Sequence, residues 1–286
     1  MKAVAVNLPD YFHAGKHDDF HIHHYSSSQS SVKHKIVLSQ NLICVLLNGS
    51  KEIYGSHNSV RINNSEIVLL TSGSVLMWES SADNCGLESF LIFFSNRLLK
   101  EFCVKHNLDI GPKGEKTAPI LALKKDEFLY NFQESLKLLE DRRYASLHQT
   151  KLEELLVYLM VSNRHRSVDA FIRNALTESH GDKLRQVVVS NGRNGLSIEE
   201  LAFLCNMSVS TFNRHFLKAF KCSPKKYLTD RKMERAHELL LLDKRPSEIY
   251  FDLGYQSLSS FSTEFKKYFG MSPGKYQRKD ALTNSH

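Results

Sequence analysis

The chain has 286 residues, of which 42% are hydrophobic and 10% aromatic, so it can form one large domain or two ordinary ones with proper cores. It has no apolar run of about 18 residues, its start MKAVAVNLPDYFHAG does not resemble a signal peptide, and its five cysteines form no C-x-x-C pair, which together predict a cytoplasmic protein. The net charge of +7 comes from residues 183–286, which hold 18 Lys and Arg against 10 Asp and Glu, whereas the first 182 residues hold 20 against 21, so we expect a polyanionic partner for the last third.

A histidine cluster opens the chain, in the segment HAGKHDDFHIHH that begins at residue 13. It contains His13, His17, His21, His23 and His24, with Asp18 and Asp19 between them. Imidazole clusters bind zinc and similar metals, but this order is not a standard site and it precedes the predicted strands. We therefore expect a solvated arm or a strand edge with no metal and no cofactor, and we keep metal binding and pH sensing as alternatives.

Short β-strands are predicted between residues 36 and 95. The segments NLICVLLNG, SVRI, EIVLLTSG, SVLMWES and LESFLIFF are rich in Val, Ile, Leu and Phe and are separated by Gly, Asn and Ser. Strands of this length and spacing favour a small barrel or a sandwich. A cavity in such a domain could hold a small effector, and a protein partner for this domain is equally open.

Helical patterns follow at about 96–107, 126–143 and 147–162. In the last of these, an apolar stripe at i, i+3, i+4 and i+7 is formed by Leu152, Leu155, Leu156 and Leu159. The stripe either covers the β-domain or pairs with a second subunit. The polar segments SNRHRS and ESHGDK within 163–182 then indicate a domain boundary.

The C-terminal third contains the same pattern twice. The segment KAFKCSPKKY begins at residue 218, and KKYFGMSPGKY begins at residue 266. Phenylalanines spaced by four residues precede both copies, which is a helical stripe. They are Phe212, Phe216 and Phe220 in the first copy, and Phe261, Phe265 and Phe269 in the second. Each stripe follows a shorter helical run and a brief break, NMS or GYQS.

Local start signals divide each copy into helices. Ser208 and Ser257 suit the N-cap of the longer helix, and Pro224 and Pro273 suit the first turn of the next one. This order predicts two helix-turn-helix units, at about 196–220 and 246–269, joined by a helix over PKKYLTDRKMERAHELLLL. Two such units on one rigid helix can reach successive major grooves of a DNA duplex, roughly 34 Å apart.

Residues 183–279 resemble the DNA-binding domain of the AraC/XylS family of bacterial transcription regulators. The resemblance is carried by IEELAFLCNMSVSTFNRHF, FKCSPKKYL, KMERAHELL and EIYFDLGYQSLSSFSTEFKKYFGMSPGKY. The chain departs from the family at Tyr250, where Ala is common, at Lys232, where Arg is common, and at Thr263, where Arg is frequent. The first half resembles, more loosely, the branch that contains activators of virulence and type III secretion genes, which implies a cupin-like barrel and a dimer formed by the helix of the leucine stripe.

Candidate base readers lie on the first recognition helix. Arg214 can bond O6 and N7 of guanine, and Asn213 can bond N6 and N7 of adenine. The family places base readers at the positions of Ser210, Asn213 and Arg214. The wider DNA-binding set predicted for this unit is Ser208, Ser210, Thr211, Asn213, Arg214 and Lys218.

The second recognition helix offers shorter side chains. Ser262 and Thr263 are expected to touch the backbone or to make soft base contacts, and Lys266 and Lys267 to meet phosphates, which carry no sequence information. The full set predicted for this unit is Ser257, Ser259, Ser262, Thr263, Lys266 and Lys267. We therefore expect weaker base discrimination here than in the first unit.

Together these features predict an α+β protein with three segments. Residues 1–165 form a cupin-like β-barrel with following helices, 166–180 a linker, and 181–286 an all-α DNA-binding domain. The predicted function is a sequence-specific transcription regulator, expected to be an activator, that binds double-stranded DNA and is modulated by a small ligand or a protein partner. RNA polymerase is a partner if the protein activates, a homodimer is one open oligomeric state, and repression is the alternative to activation. The alternative is a metal-dependent cupin enzyme with a DNA-binding tail, although no catalytic set of residues supports it.

Overall fold

The computed structural model describes residues 5–12, 19–28, 32–80, 86–108, 119–138, 145–162, 165–176 and 183–277. Its contacts divide the chain into two compact units. The N-terminal unit comprises Met1–Gln186 with Leu204–Asn206, and the C-terminal unit comprises Val187–Phe203 with Met207–His286. Within the described residues, no helix combines the length and the apolar composition that crossing a membrane would need.

The described part of the N-terminal unit contains ten strands in two five-stranded sheets, with the orders β1-β3-β8-β5-β6 and β10-β7-β4-β9-β2. The strands are β1 Ala5–Leu8, β2 Phe20–Ser27, β3 Val32–Leu38, β4 Asn41–Asn48, β5 Ser50–Tyr54, β6 Ser59–Asn63, β7 Glu66–Leu70, β8 Gly73–Ser80, β9 Leu87–Phe94 and β10 Ile120–Lys124. The predicted β-rich N-terminal domain is confirmed. The predicted barrel is corrected, because the two sheets are separate and do not close into one cylinder.

The central strands β4, β7 and β9 of the second sheet are apolar on both faces, because each face packs against another layer. One face, which includes Leu42 and Cys44, joins residues of the first sheet in a core, and the other, which includes Ile43 and Val45, packs against helices. Burial on both sides explains why β4, β7 and β9 appear in the sequence as continuous apolar runs.

Four helices belong to the N-terminal unit: α1 Asn96–Lys105, α2 Glu127–Leu138, α3 Ala145–Val161 and α4 His165–Leu176. The first three coincide with predicted helices. The interval 166–180, predicted as a linker, instead contains most of α4, because Val168, Phe171 and Ile172 are buried in the core of this unit.

The leucine stripe of α3 is also buried in that core. Leu152, Leu155, Leu156 and Leu159 are at most 5% exposed, and they pack with residues of α1, α4 and the second sheet. The prediction that these side chains pair with a second subunit is therefore corrected. Of the two alternatives, the structure has the stripe covering the β-domain of its own chain.

The C-terminal unit is helical in its described residues, as predicted. Its helices are α5 Lys183–Asn191, which begins within the N-terminal unit, α6 Ile198–Leu204, α7 Val209–Phe220, α8 Pro224–Leu241, α9 Pro246–Ile249 and α10 Leu258–Phe269. The predicted linker helix is α8, and the predicted recognition helices are α7 and α10.

Candidate nucleic-acid interface

The turns before α7 and α10 have the same construction. Asn206 and Gly254 adopt a left-handed backbone, with φ of 57° and 76°, which turns the chain between the short and the long helix. Ser208 then caps α7 by accepting a hydrogen bond from the Thr211 amide, and Ser257 caps α10 by accepting one from the Ser260 amide. Both serines have the capping position predicted from the sequence.

The same repeat fixes which face of each helix is buried. Phe212 and Phe216 of α7 have no exposed surface, and Phe261 and Phe265 of α10 have none either. The two tyrosines that follow the Ser-Pro pairs pack on these stripes in the same way. The ring of Tyr227 lies 5.5 Å from that of Phe216, and the ring of Tyr276 lies 5.4 Å from that of Phe265.

The polar face of α7 is open to solvent. Ser210, Asn213, Arg214 and Lys218 are exposed, whereas Thr211 is half-buried. Near the helix start, Ser208 Oγ lies 3.0 Å from Ser210 Oγ and 2.9 Å from Thr211 Oγ1. Among the described residues, neither Asn213 nor Arg214 has a hydrogen-bond or ion-pair partner, so both side chains are available to a ligand.

The polar face of α10 carries two lysines and otherwise short hydroxyl side chains. Ser259, Thr263, Lys266 and Lys267 are exposed, and Ser262 is half-buried. No arginine lies on this helix, so the helix has no side chain with the planar fork that bonds guanine at two atoms.

One contact in the second helix-turn-helix unit was not predicted from the sequence. Tyr255, in the turn before α10, donates a hydrogen bond of 2.7 Å to Glu264 Oε2 on α10. Burial, and then the hydrogen bond to Glu264, raises the pKa of Tyr255. Lys232 of α8 lies with its Nζ 5.1 Å from the centre of the Tyr255 ring. The three residues connect the linker helix, the turn and the recognition helix, but they lie 9 to 32 positions apart, so no local pattern indicates the contact.

The linker helix α8 packs on both helix-turn-helix units. Near its start, Tyr227 contacts the rings of Phe216 and Phe220 of the first unit. In its second half, Met233, Ala236 and Leu240 are buried in the core of the second unit, with Phe261 and Phe265. Ser223 caps the helix, and Pro224 occupies its first turn as predicted. A helix of 18 residues is about 27 Å long.

Basic side chains are exposed along the C-terminal unit. Arg214 and Lys218 lie on α7 and Lys266 and Lys267 on α10, while Lys221, Lys225 and Lys226 lie at the junction of α7 and α8. This is the part of the chain that holds the charge surplus. A cluster of exposed cations lowers the free energy of binding a polyanion such as duplex DNA.

The histidine cluster lies partly in strand β2, the edge of the second sheet. His13, His17 and Asp18 lie outside the described residues. His24 Nε2 lies 2.8 Å from Glu88 Oε1, the His23 ring stacks on Phe12 at 3.8 Å, and Asp19 pairs with Arg97. In the part of the chain that the structure describes, no group of three or more His, Cys, Asp or Glu side chains is arranged to hold a metal.

The cysteines are free thiols where the structure describes them. Cys44, Cys103 and Cys205 are buried and Cys222 is half-buried, whereas Cys85 lies outside the described residues. Burial raises the pKa of the Cys44 and Cys103 thiols.

Two capped, basic helix-turn-helix units on one linker helix define a DNA-binding transcription regulator. The model of a helix-turn-helix domain matches residues 201–279, and that of the ExsA N-terminal regulatory domain matches residues 41–171. The chain belongs to the AraC/XylS family, as its sequence pattern indicated. The proteins to which it is similar are transcription regulators and not enzymes.

Similar proteins extend over most of the chain. The thermoregulatory protein LcrF of Yersinia pestis is 25% identical over 249 residues, which are 83% of this chain and 89% of LcrF. The virulence regulon transcriptional activator VirF of Yersinia enterocolitica is 24% identical over 246 residues, with the same coverage. The solved structure of ToxT from Vibrio cholerae aligns with 91% of this chain and 98% of its own, at 13% identity and a TM-score of 0.40.

Proposed function

We propose that the chain is a sequence-specific activator that inserts α7 and α10 into two successive major grooves on one face of a duplex. The observation that carries this proposal is the repeated helix design. Each recognition helix has 12 residues, buries two phenylalanines in its own core, and exposes a polar face with basic residues. A single linker helix packs on both cores and fixes the distance between them.

In this proposal α7 supplies most of the base reading. The Arg214 guanidinium donates two hydrogen bonds to O6 and N7 of a guanine, and the Asn213 amide pairs with N6 and N7 of an adenine. Ser210 lies one turn earlier on the same exposed face. Ser208, Thr211 and Lys218 contact the phosphate backbone, which sets the register of the helix in the groove.

The second helix contributes more affinity than sequence information. Lys266 and Lys267 meet phosphates, and Ser257, Ser259, Ser262 and Thr263 make short contacts to the backbone or to base edges. Because an arginine frequently occupies the position of Thr263 in the family, the site read by α10 should tolerate more base changes than the site read by α7.

The regulatory part of the proposal rests on the N-terminal unit. Its match to a regulatory domain supports control of DNA binding by a small ligand or a protein partner at this unit. The similar protein VirF is named a transcriptional activator, which supports the same role for this chain. The expected partner of an activator is RNA polymerase, in the cytoplasm. If the protein forms a homodimer, it uses a surface other than the leucine stripe of α3, which is buried.

The proposal is tested by selecting duplexes from a randomised library with the full-length protein. We expect a motif in two parts, with centres about one helical turn apart and the part read by α7 better defined. Affinity for the selected duplex should exceed that for an unrelated one by roughly a thousandfold and should fall steeply between two salt concentrations. Selection that enriches no motif, or equal affinity for both duplexes, contradicts the proposal.

A further inference from the structure

A cavity of about 160 Å³ lies in the N-terminal unit between its two sheets. Most of its wall is apolar and comes from Val6, Leu8, Phe12, Ile36, Leu42, Met77 and Leu91. An apolar cavity of about 150 Å³ is large enough to bind benzene. The space therefore suits a molecule of about one ring.

The polar part of the wall is a buried ion pair with a tyrosine. Lys51 Nζ lies 2.9 Å from Glu79 Oε1, with side chains 1% and 6% exposed, and the Tyr25 hydroxyl donates a hydrogen bond of 2.8 Å to Glu79 Oε2. His34 Nε2 lies 3.7 Å from Glu79 Oε2. Lys51 and Glu79 are directly paired in the register of β5 and β8, so the sheet holds the pair in place.

The charges at the polar end of the cavity balance, but the hydrogen-bond donors of Lys51 are not all used. Burial lowers the pKa of the Lys51 ammonium, but Cys44, the hydrogen-bonded Glu79 carboxylate and Tyr25 together outweigh burial, so the pKa is raised and Lys51 stays charged. Burial, and then Glu79, raises the pKa of Tyr25 to about 12, so its hydroxyl stays neutral. The ammonium has three N–H donors, and Glu79 is its one acceptor among the described residues. The other two donors have no acceptor among the described residues, the Tyr25 ring centre lies 5.2 Å from Nζ, and the net charge of the pair is zero.

We propose that this cavity binds an uncharged, mainly apolar molecule of about one ring that carries one hydrogen-bond-accepting oxygen, as an aryl ketone does. The oxygen accepts from the Lys51 ammonium, and the ring fills the apolar wall. A carboxylate in the same place would lie close to the Glu79 carboxylate in a site of low dielectric, where like charges repel strongly. A hydrocarbon would cover the ammonium donors without bonding them, which also disfavours binding.

The regulatory role of this ligand rests on the proposed function, but its binding does not. Occupancy of the cavity is a property of the N-terminal unit and can be measured without DNA.

Three molecules of nearly the same shape separate the possibilities. Acetophenone is neutral and has a carbonyl oxygen, benzoate has a charged carboxylate, and α-methylstyrene has a CH₂ group in place of the oxygen. The full-length protein labelled with ¹³C at its methionine methyl groups reports where each probe binds, because Met77 lines the cavity and Met233 is buried in the C-terminal core. We expect acetophenone to shift the Met77 signal with a Kd of about 1 mM or below, and the other two to bind at least about tenfold more weakly. Met233 should not shift.

A double variant tests the role of the ion pair. Lys51→Met with Glu79→Gln removes both charges together, so no uncompensated charge remains buried. We expect its preference for acetophenone over α-methylstyrene to fall to about twofold or less. The same two changes at the exposed pair Lys137 and Glu134, which lie 2.9 Å apart on α2, should leave the preference unchanged.

The proposal is overturned if benzoate or α-methylstyrene binds as tightly as acetophenone, or if no probe shifts Met77. If the cavity variant does not fold, the order of the three probes on the unmodified protein decides. DNA affinity measured with and without saturating acetophenone separates this inference from the proposed function. A shifted Met77 with unchanged DNA affinity confirms the site and overturns its regulatory role, whereas absent sequence preference without any probe contradicts only the proposed function.

Discussion

At the scale of single residues, the proposed function assigns most of the base discrimination to Arg214. Its guanidinium is exposed and has no partner among the described residues, so no competing bond has to break before it contacts DNA. We expect Arg214→Ala to cost roughly 1–3 kcal/mol of discrimination between the selected duplex and one changed at the contacted guanine. Equilibrium titration of both duplexes measures the difference.

Lys266→Ala is the matched control for that experiment. A lysine at a phosphate adds affinity without sequence information, so this change should weaken binding to both duplexes alike and lower the magnitude of the salt slope by about 1. If Arg214→Ala weakens both duplexes equally, Arg214 is a phosphate contact and the base-reading assignment fails.

Leu155 distinguishes a core residue from a dimer contact. It has no exposed surface in the core of its own unit, so Leu155→Ala should destabilise that unit by about 2–5 kcal/mol through lost burial and a cavity. Trp78, the chain's only tryptophan, lies in β8 and reports the unfolding of this unit by fluorescence. Leu147→Ala, at a 47% exposed position on the same helix, should change stability by less than about 0.5 kcal/mol.

Sedimentation of the same Leu155→Ala variant tests the correction to the leucine stripe. Because the stripe is internal, the folded fraction should keep the oligomeric state of the unmodified protein. A change from dimer to monomer with little loss of stability would show instead that Leu155 contacts a second subunit.

At the scale of elements, the internal repeat provides its own control for helix ends. The residue after α7 is Lys221, with φ of 58°, and the residue after α10 is Gly270, with φ of 78°. Both adopt the left-handed conformation in which glycine is unstrained and lysine is not. Lys221→Gly should therefore stabilise the C-terminal unit by about 0.5–1 kcal/mol, and Gly270→Lys should destabilise it by a similar amount.

The unfolding of the C-terminal unit can be followed through the methyl signal of Met233, which is buried in its core. DNA binding is not the measure here, because Lys221 is itself an exposed cation. Equal stability of the three proteins would contradict the prediction. It would mean that the backbone relaxes at these two positions, so that lysine is not strained there.

The helical elements were predictable because their signals are local. Phenylalanines at i and i+4, serine caps and a proline in the first turn occur within a few residues of one another, and they gave α7, α8 and α10 nearly to the residue. Helix α4 was missed because polar segments flank it. Strand β5 was missed because SKEIY mixes polar and apolar side chains. FHIHHYSS mixes them too, so the sequence left a solvated arm and a strand edge open, and the structure has β2 as an edge strand.

The polar end of the cavity could not be predicted for a different reason. Lys51 and Glu79 lie on strands that are adjacent only after the sheet has formed, and their pairing depends on the register of β5 against β8. A buried lysine is uncommon unless it is paired, so the sequence alone favours an exposed position. The two-sheet arrangement also depends on strand order, which is non-local, and this is why a barrel and a sandwich were equally consistent with the sequence.

At the scale of the whole molecule, charge and fold are divided between the units. The basic surplus lies in residues 183–286, which contain the two helix-turn-helix units, while the N-terminal unit holds the apolar cavity. Long-range attraction to DNA therefore comes mainly from one part of the chain, and the proposed selectivity for a small molecule belongs to the other. Such a division allows each property to be altered by substitutions that leave the other intact.

The rigid linker leads to a prediction about the DNA. Helix α8 packs on the first core through Tyr227 and on the second through Met233 and Leu240, so the two recognition helices are held at one separation. Adding about 5 base pairs between the two parts of the selected site turns one part to the opposite face of the duplex, and adding about 10 restores the face but moves it one helical turn, about 34 Å, further away. A rod about 27 Å long cannot span the added turn.

We therefore expect both insertions to lower affinity about tenfold, because α7 keeps its base contacts and α10 keeps its phosphate contacts but loses its base contacts. The same 5 base pairs placed outside the site should change affinity by less than about twofold, because the flanking backbone contributes no sequence-specific contact. Equilibrium binding of the full-length protein to the four duplexes measures these effects. A flexible tether would instead recover most of its affinity with the 10-base-pair insertion, so recovery there would show that α8 bends or melts on DNA and that the two units read their grooves independently.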